Sequence, residues 1–504
     1  MREVHKLSNK NLIGIDLGSS GVKATLIDGN GKILATADSA VDLHSKNPGW
    51  AEADTNQWWN GVKFTVAKLI STSKVNSESI AAISVAGMVP AVVLVDEKFN
   101  PLRLAMLQND ARATKEIEYL NSKLQNLDFL NLTGSKLTQQ SVAPTLLWIS
   151  KNENEVFSKV KYVIGSYDWL SIKLGAQPHV EQNWAIESGL YNWDNSALTE
   201  LIDATGIDFP ELLSPKKPGE IVGELSKEAA LDMGLSTSTK IVVGGADHVL
   251  SAYAAGLISE GDCLVKLGGA GDVLAVSDNK FLDERLYLDA HPAPNKWLPN
   301  GCMATSGSLL RWEQSLLNGI DLVALDKEAE GSKPASLLTL PYFLGEKSPL
   351  HDPNLRGAIA GLHLGTTKAD IHRSFLEAIA YGFRQHIEIF NQRGLKIKNI
   401  KVTNGGSKSK LWKQILADVL DQPLSPVVDH PGASLGAALI AGIGVGVFKD
   451  FSVANSILKS DTPIIPNKEN RDIYDQRFSD YLKMLPLILN EISQSYCLPF
   501  LNSH

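Results

Sequence analysis

Residues 11–41 read NLIGIDLGSSGVKATLIDGNGKILATADSAV. Leu12–Ile15 is a short apolar strand, Gly18–Gly21 a turn and Val22–Ile27 a second strand. Asp28-Gly29-Asn30-Gly31 then supplies a hairpin turn into a third strand over Lys32–Ala37. The opening pattern returns at Cys263–Asp278, CLVKLGGAGDVLAVSD, as strand, glycine-rich turn and strand. One such hairpin in each half predicts two structurally related domains facing each other.

The size of the chain agrees. Its 504 residues exceed the roughly 250–300 at which a single core stops growing. Two domains, 1–256 and 257–504, are therefore expected, with the boundary near Gly256–Gly261. Between the hairpins, TNQWWNGVKFTVAKLI reads as a helix capped by Thr55, and Ser79–Val85 and Ala91–Val95 read as strands. In the second half, Thr367-Lys368-Ala369-Asp370 resembles a capping box. It opens an apolar stripe, Ile371, Phe375, Ile379, Phe383 and Ile387, that belongs to a core.

Composition excludes several classes. Apolar residues make up 44% and charged residues 21%, with a net charge of −8 and no Lys/Arg run, which argues against a nucleic-acid partner. Cys263, Cys302 and Cys497 lack metal-ligand spacing and read as free thiols of a reducing compartment. The start, MREVHKLSNK, has no apolar core of a secretory signal. The apolar stretches Ile80–Val95 and Gly432–Phe448 fall short of the ~18 residues of a membrane span. A cytoplasmic protein is expected; the oligomeric state is not legible, and a homodimer stays open.

Four segments could carry chemistry. In Asp16–Lys23, the glycines and Ser19 and Ser20 can offer close donors to a phosphate, and Asp16 can hold Mg²⁺ through water; a plain polar hairpin fits as well. Gly268-Gly269-Ala270-Gly271 is a second cradle, or a hairpin where two backbones approach. Asn404-Gly405-Gly406-Ser407-Lys408 lies between a strand and a helix starting near Leu411, where a ring or phosphate can rest on backbone amides; an ordinary βα turn fits as well. In Val242–His248, apolar residues run into Gly244-Gly245 and then Asp247. That acid can take the proton of an attacking hydroxyl, cap the helix that follows, or do both.

Taken in order, DLGSSGVK, NPGWAEADTNQWW, QNDARA, GGADH, LPYFLGEKSPLHDPNLRGAIAGL and NGGSKSKLWKQILADVL resemble the FGGY carbohydrate kinases, in particular their xylulokinase-like branch. The resemblance runs from about Leu12 to Gly444. It implies an α/β fold of two ribonuclease-H-like domains of the actin and hexokinase type, flanking a deep cleft. It also implies transfer of a phosphoryl group from Mg²⁺-bound ATP to a hydroxyl of a small sugar, a pentulose such as xylulose first. By position, Asp247 matches the catalytic base, Asp16 the metal-associated acid, and Gly18, Ser19, Ser20 and Lys23 the first phosphate loop. Gly268, Gly269 and Gly271 match the second phosphate loop, and Gly405, Gly406 and Lys408 the adenosine side. Met88, Asn109, Asp110, Arg112 and His248 match positions near the sugar.

The chain also departs from that pattern. Met88-Val89-Pro90 stands for Met-His-Gly, Gln108 for Trp, His248 for Asn beside the base, and Gly-Gly-Ala-Gly for Gly-Thr-Ser-Gly. These changes touch the sugar groups and remove two hydroxyls from the second loop. A kinase for erythritol, a pentitol or glycerol is the alternative within enzymes. A non-catalytic, nucleotide-gated sugar-binding protein of the actin type is the alternative outside them.

Overall fold

The computed structural model describes residues 10–491; Cys497 and the opening residues 1–9 lie outside them. The first meander forms as the sequence predicts. Strands β1 (Asn11–Gly18), β2 (Gly21–Ile27) and β3 (Ile33–Ala40) pair antiparallel. Helix α1 (Thr55–Ser73) follows; its cap is Asp54 rather than Thr55, because the Asp54 carboxylate accepts the Asn56 N–H at 2.8 Å. Strand β4 (Ile80–Gly87) lies parallel to β1, and β5 (Ile221–Glu224) and β6 (Lys240–Ala246) complete a six-stranded sheet in the order β5-β6-β4-β1-β2-β3. Helix α2 (Asp247–Ala254) leaves the end of β6.

The second half repeats this frame. Strands β7 (Asp262–Leu267) and β8 (Gly271–Ala275) form the second hairpin. Strands β9 (Tyr287–Ala290) and β10 (Trp297–Met303) extend the antiparallel side. Helix α3 (Gly307–Leu316) and the long α4 (Lys368–Gln392) follow, the latter opened by the predicted box, in which Thr367 and Asp370 cap each other. Strand β11 (Asn399–Thr403) lies parallel to β7; helix α5 (Lys410–Leu420) then leads to β12 (Leu424–Pro426), and the sheet order is β9-β10-β8-β7-β11-β12. Both sheets therefore share a core of three antiparallel and two further parallel strands. They differ in the end at which the sixth strand is added.

Each half buries its own apolar cluster, and a third cluster joins them. Helix α6 (Ala433–Gly444) comes from the second half of the sequence but lies on the first sheet. Gly14 of β1 makes this approach close, since a Cβ there would collide with the Ser434 carbonyl and the Ala438 amide. No described helix is long and apolar enough to cross a membrane.

Candidate active site

Strand register brings the predicted segments to two edges. Leu17 of β1 lies opposite Gly87 of β4, and Gly87 opposite Ala246 of β6. Asp16 and Asp247 therefore emerge at the same edge of the first sheet. In the second sheet Lys266 lies opposite Thr403, so the second glycine loop and the segment Asn404–Lys408 emerge together. The carboxyl ends of parallel strands are where α/β sheets bind ligands.

A cavity of about 240 Å³ joins the two edges. The first half contributes Asp247, His248, Glu187, Val89 and Gln108, and the second half Lys266, Asp272, Asp289, Asn300 and Lys347. Asp247 is the first residue of α2, so its side chain is not the helix cap; Oδ1 accepts the His248 N–H at 2.6 Å, and the side chain stays 37% exposed. His248 Nε2 lies 2.7 Å from Asp289 Oδ2 and 3.9 Å from Glu187 Oε1. Burial pulls the His248 imidazole down, but Asp289 and then Asp247 more than offset it and leave it well above its usual range. Burial, and then the charge of Asp289, push the Glu187 carboxyl well above the carboxylate range. Asn300 Nδ2 donates to Asp289 Oδ2 at 2.7 Å. The result is a polar pocket with fixed donors and acceptors beside a partly exposed acid, which suits a molecule rich in hydroxyls.

A second cavity, about 630 Å³, opens over the first hairpin and is lined by Asp16, Gly18, Ser20, Lys23, His430 and Ser434 among others. Asp16 Oδ1 is buried and takes no hydrogen bond among the described residues. Burial first, and Asp247 second, push its carboxyl up to about 7, against the pull of Lys23 and Lys266. An orphaned buried carboxylate oxygen fits a hydrated divalent cation, which would supply the missing positive charge. A Cβ on Gly18 would meet only the Gly21 carbonyl, at 3.6 Å, so no protein packing demands that glycine.

The second hairpin is packed differently. A Cβ on Gly271 would fall 2.8 Å from the Phe383 ring, so this glycine is set by the core. The start of α3 folds onto the loop: Ser306 and Ser308 N–H donate to the Gly269 carbonyl at 2.9 and 3.0 Å, and Gly307 N–H to that of Gly268 at 2.8 Å. The Ser306 and Ser308 hydroxyls are buried and find no hydrogen-bond partner among the described residues. In the third segment a Cβ on Gly405 would meet open space, while one on Gly406 would strike the Trp412 ring and lie 2.7 Å from Leu267 Cβ. Lys408 lies in the short 3₁₀ turn there and is exposed.

Four expected sugar residues stand outside the cavity lining. Arg112 is engaged inside the first half: its Nη2 pairs with Asp110 at 2.6 Å and Glu52 at 2.8 Å, and its guanidinium stacks 3.6 Å from the Trp50 ring. Asp110 is taken up by Arg112 and by the Ala51 N–H at 2.7 Å, and neither residue lines the cavity. Met88 is buried with its carbonyl on the Ser166 hydroxyl, leaving Val89 at the wall. Asn109 is exposed outside that lining, where Gln108 is the residue that faces in. Sequence reading missed Glu187, Lys266, Asp272, Asp289 and Asn300. Charges inside apolar strands, such as Lys266 in DCLVKL and Asp289 in YLDA, were the available signal.

Residues 11–254 match the N-terminal domain of the FGGY family of carbohydrate kinases, and residues 270–445 match its C-terminal domain. The chain is an FGGY carbohydrate kinase. It is 29% identical over 479 residues to a xylulose kinase of Staphylococcus epidermidis, covering 93% of this chain and 95% of that one. A xylulose kinase of Bacillus subtilis is 27% identical over 490 residues, covering 94% and 96%. The crystal structure of xylulose kinase from Rhodospirillum rubrum superposes with a TM-score of 0.89 at 33% identity, covering 95% of this chain and 99% of that one. Membership of this kinase family implies the use of ATP, and the two-domain fold agrees with the paired sheets described above.

Proposed function

We propose that this FGGY kinase moves the γ-phosphoryl group of ATP to a hydroxyl of a five-carbon ketose, xylulose or a close relative. The observation that carries the reading is Asp247, a partly exposed acid at the wall of a polar cavity shared by both halves. In the reaction the substrate hydroxyl gives its proton to the Asp247 carboxylate. Its oxygen bonds to the γ-phosphorus while the bond to the bridging oxygen breaks, and that electron pair leaves on ADP. Asp16 would hold Mg²⁺ through water, and the ion would supply charge to the β- and γ-phosphates. Gly18, Ser19 and Ser20, and across the cleft Gly268 and Gly269, would present backbone N–H groups and hydroxyls to the phosphates. Gly405, with open space over it, would carry the adenosine.

The names of the relatives support a pentulose. The wall residues Val89, Gln108 and His248 set the choice within that class. We place the reaction in the cytoplasm, with Cys263 and Cys302 as the free thiols among the described residues. An ATP-coupled screen over pentuloses, pentitols, tetritols and glycerol tests the assignment. A pentulose should give the highest kcat/KM, by about 10⁴-fold over an analogue lacking the read hydroxyl. Strong turnover of glycerol or a hexose, with none on any pentulose or pentitol, would overturn the substrate class.

A further inference from the structure

One buried charge has no part in the transfer just described. Lys266 lies on β7 two residues before Gly268, as Asp16 lies on β1 two residues before Gly18. Across each ladder the partner carries the opposite sign: Lys23 faces Asp16, and Asp272 faces Lys266. The two hairpins share a frame and invert its charge. Lys266 is the penultimate residue of β7, at the end from which the glycine loop leaves. It is 14% exposed, its Nζ lies 3.2 Å from Asp272 Oδ2, and it lines the cavity that holds Asp247. The loop Gly268-Gly269-Ala270-Gly271 has neither hydroxyl nor charge; Lys266 is the one cation on the hairpin's own strands, while the Arg311 guanidinium of α3 packs against Gly269.

We propose that Lys266 is a catalytic residue of the transfer, whose ammonium contacts the γ-phosphoryl group beside Asp247 and balances the charge developing there. It is the direct cationic counterpart of Asp16, which would act through a metal ion. No proton leaves Lys266; its ammonium exchanges part of its contact with Asp272 for the phosphoryl oxygens. The electrostatics agree. Burial pulls the Lys266 ammonium down, but Asp272 and then Asp247 more than offset it, so the group keeps its proton. Lys266 also favours ionised Asp16 from across the cleft. The competing reading is a purely structural ion pair, in which Lys266 serves only to neutralise Asp272.

The proposal rests on the kinase reading, and two measurements keep them separable. The first is turnover of Lys266→Met, of Lys266→Arg and of the double variant Lys266→Met/Asp272→Asn. Removing a preorganised group at the developing charge should lower kcat by about 10²–10³-fold in Lys266→Met and equally in the double variant. Lys266→Arg should retain more turnover. The second is titration of each protein with ADP and with a non-hydrolysable ATP analogue. Lys266→Met should weaken the analogue by about tenfold while leaving ADP within about twofold, as loss of one charge-assisted contact to the γ-phosphate requires. Recovery in the double variant, or equal weakening of both nucleotides, would reduce Lys266 to a structural partner of Asp272. A wild-type protein without sugar-stimulated ATP consumption would overturn the kinase reading, and the titration would still judge the lysine.

Discussion

The first and second glycine hairpins show how one frame can be tuned twice. In the first, Asp16 keeps an oxygen without a partner, and its carboxyl is pushed up to about 7. In the second, Lys266 is held by Asp272 and stays charged. The loops differ in the same way. No protein atom comes within 3.6 Å of a Cβ on Gly18, whereas Gly271 is fixed by the Phe383 ring and the backbone of α3 closes over Gly268 and Gly269. An unpartnered buried carboxylate is unfavourable by itself, so it marks where a ligand or ion completes the structure. A tightly packed loop marks where the fold itself fixes the geometry. Of the two hairpins, the first should therefore depend more on what it binds.

The largest effect should come from the acid between the hairpins. Asp247→Asn should lower kcat by about 10²–10⁴-fold with thermal unfolding and ATP binding nearly unchanged. More than about a tenth of wild-type turnover in a folded variant would remove Asp247 from the chemistry. On the first hairpin, Asp16→Asn should cost turnover by about 10²-fold and raise the Mg²⁺ concentration needed for half-maximal rate. An unchanged Mg²⁺ dependence would break the proposed contrast between a metal-using and a lysine-using hairpin.

Two buried groups, one in each half, should also respond to pH in different windows. Glu181, buried in the first half, has its carboxyl raised to about 7 by burial against the donors around it. The folded state then holds a proton that the unfolded chain releases, so stability from this group falls as pH rises from about 4.5 to 7. His372 in the second half is pulled down by burial, yet Asp326 and Glu313, at 2.8 and 2.7 Å, raise it to about 9. Its contribution is fully present below about 6.5 and is lost as pH rises through 9. Each window is worth at most roughly 3–4 kcal/mol. Glu181→Gln should flatten the lower slope of a Tm-against-pH profile and His372→Gln the upper one; a variant that moved neither slope would refute its assignment.

The smallest and sharpest comparison concerns two adjacent glycines. Gly406→Val should cost about 1–3 kcal/mol of stability, because its side chain must displace Trp412 and Leu267. Gly405→Val meets open space, so it should leave Tm unchanged and raise the KM for ATP several-fold without moving that for the sugar. Equal KM effects on both substrates would place the adenosine elsewhere.

Much of this frame was legible beforehand. Alternating apolar runs with Gly18-Ser19-Ser20-Gly21 and Gly268–Gly271 between them gave both hairpins, and Thr367 with Asp370 gave the start of the longest helix. These are local signals, carried by residues close in sequence. The match of Arg112 to the family's Asn-Asp-x-Arg segment puts it near the sugar, but a motif match does not say which face of the loop turns inward. Only the fold set it against Glu52 and Trp50.

The amino-acid sequence by itself determined the two halves, their glycine turns and the acids at the strand ends, because strand period and turn chemistry are written residue by residue. Tertiary structure alone decided which charges meet. Lys266 and Asp247 come to one cavity because two sheets face each other, and Asp289 reaches His248 across 41 positions of chain. It also decided which glycines serve the fold and which leave room for a ligand, since Gly405 and Gly406 are alike in sequence and only Trp412 tells them apart. Such pairings depend on long-range packing, and packing is a property of the whole folded chain.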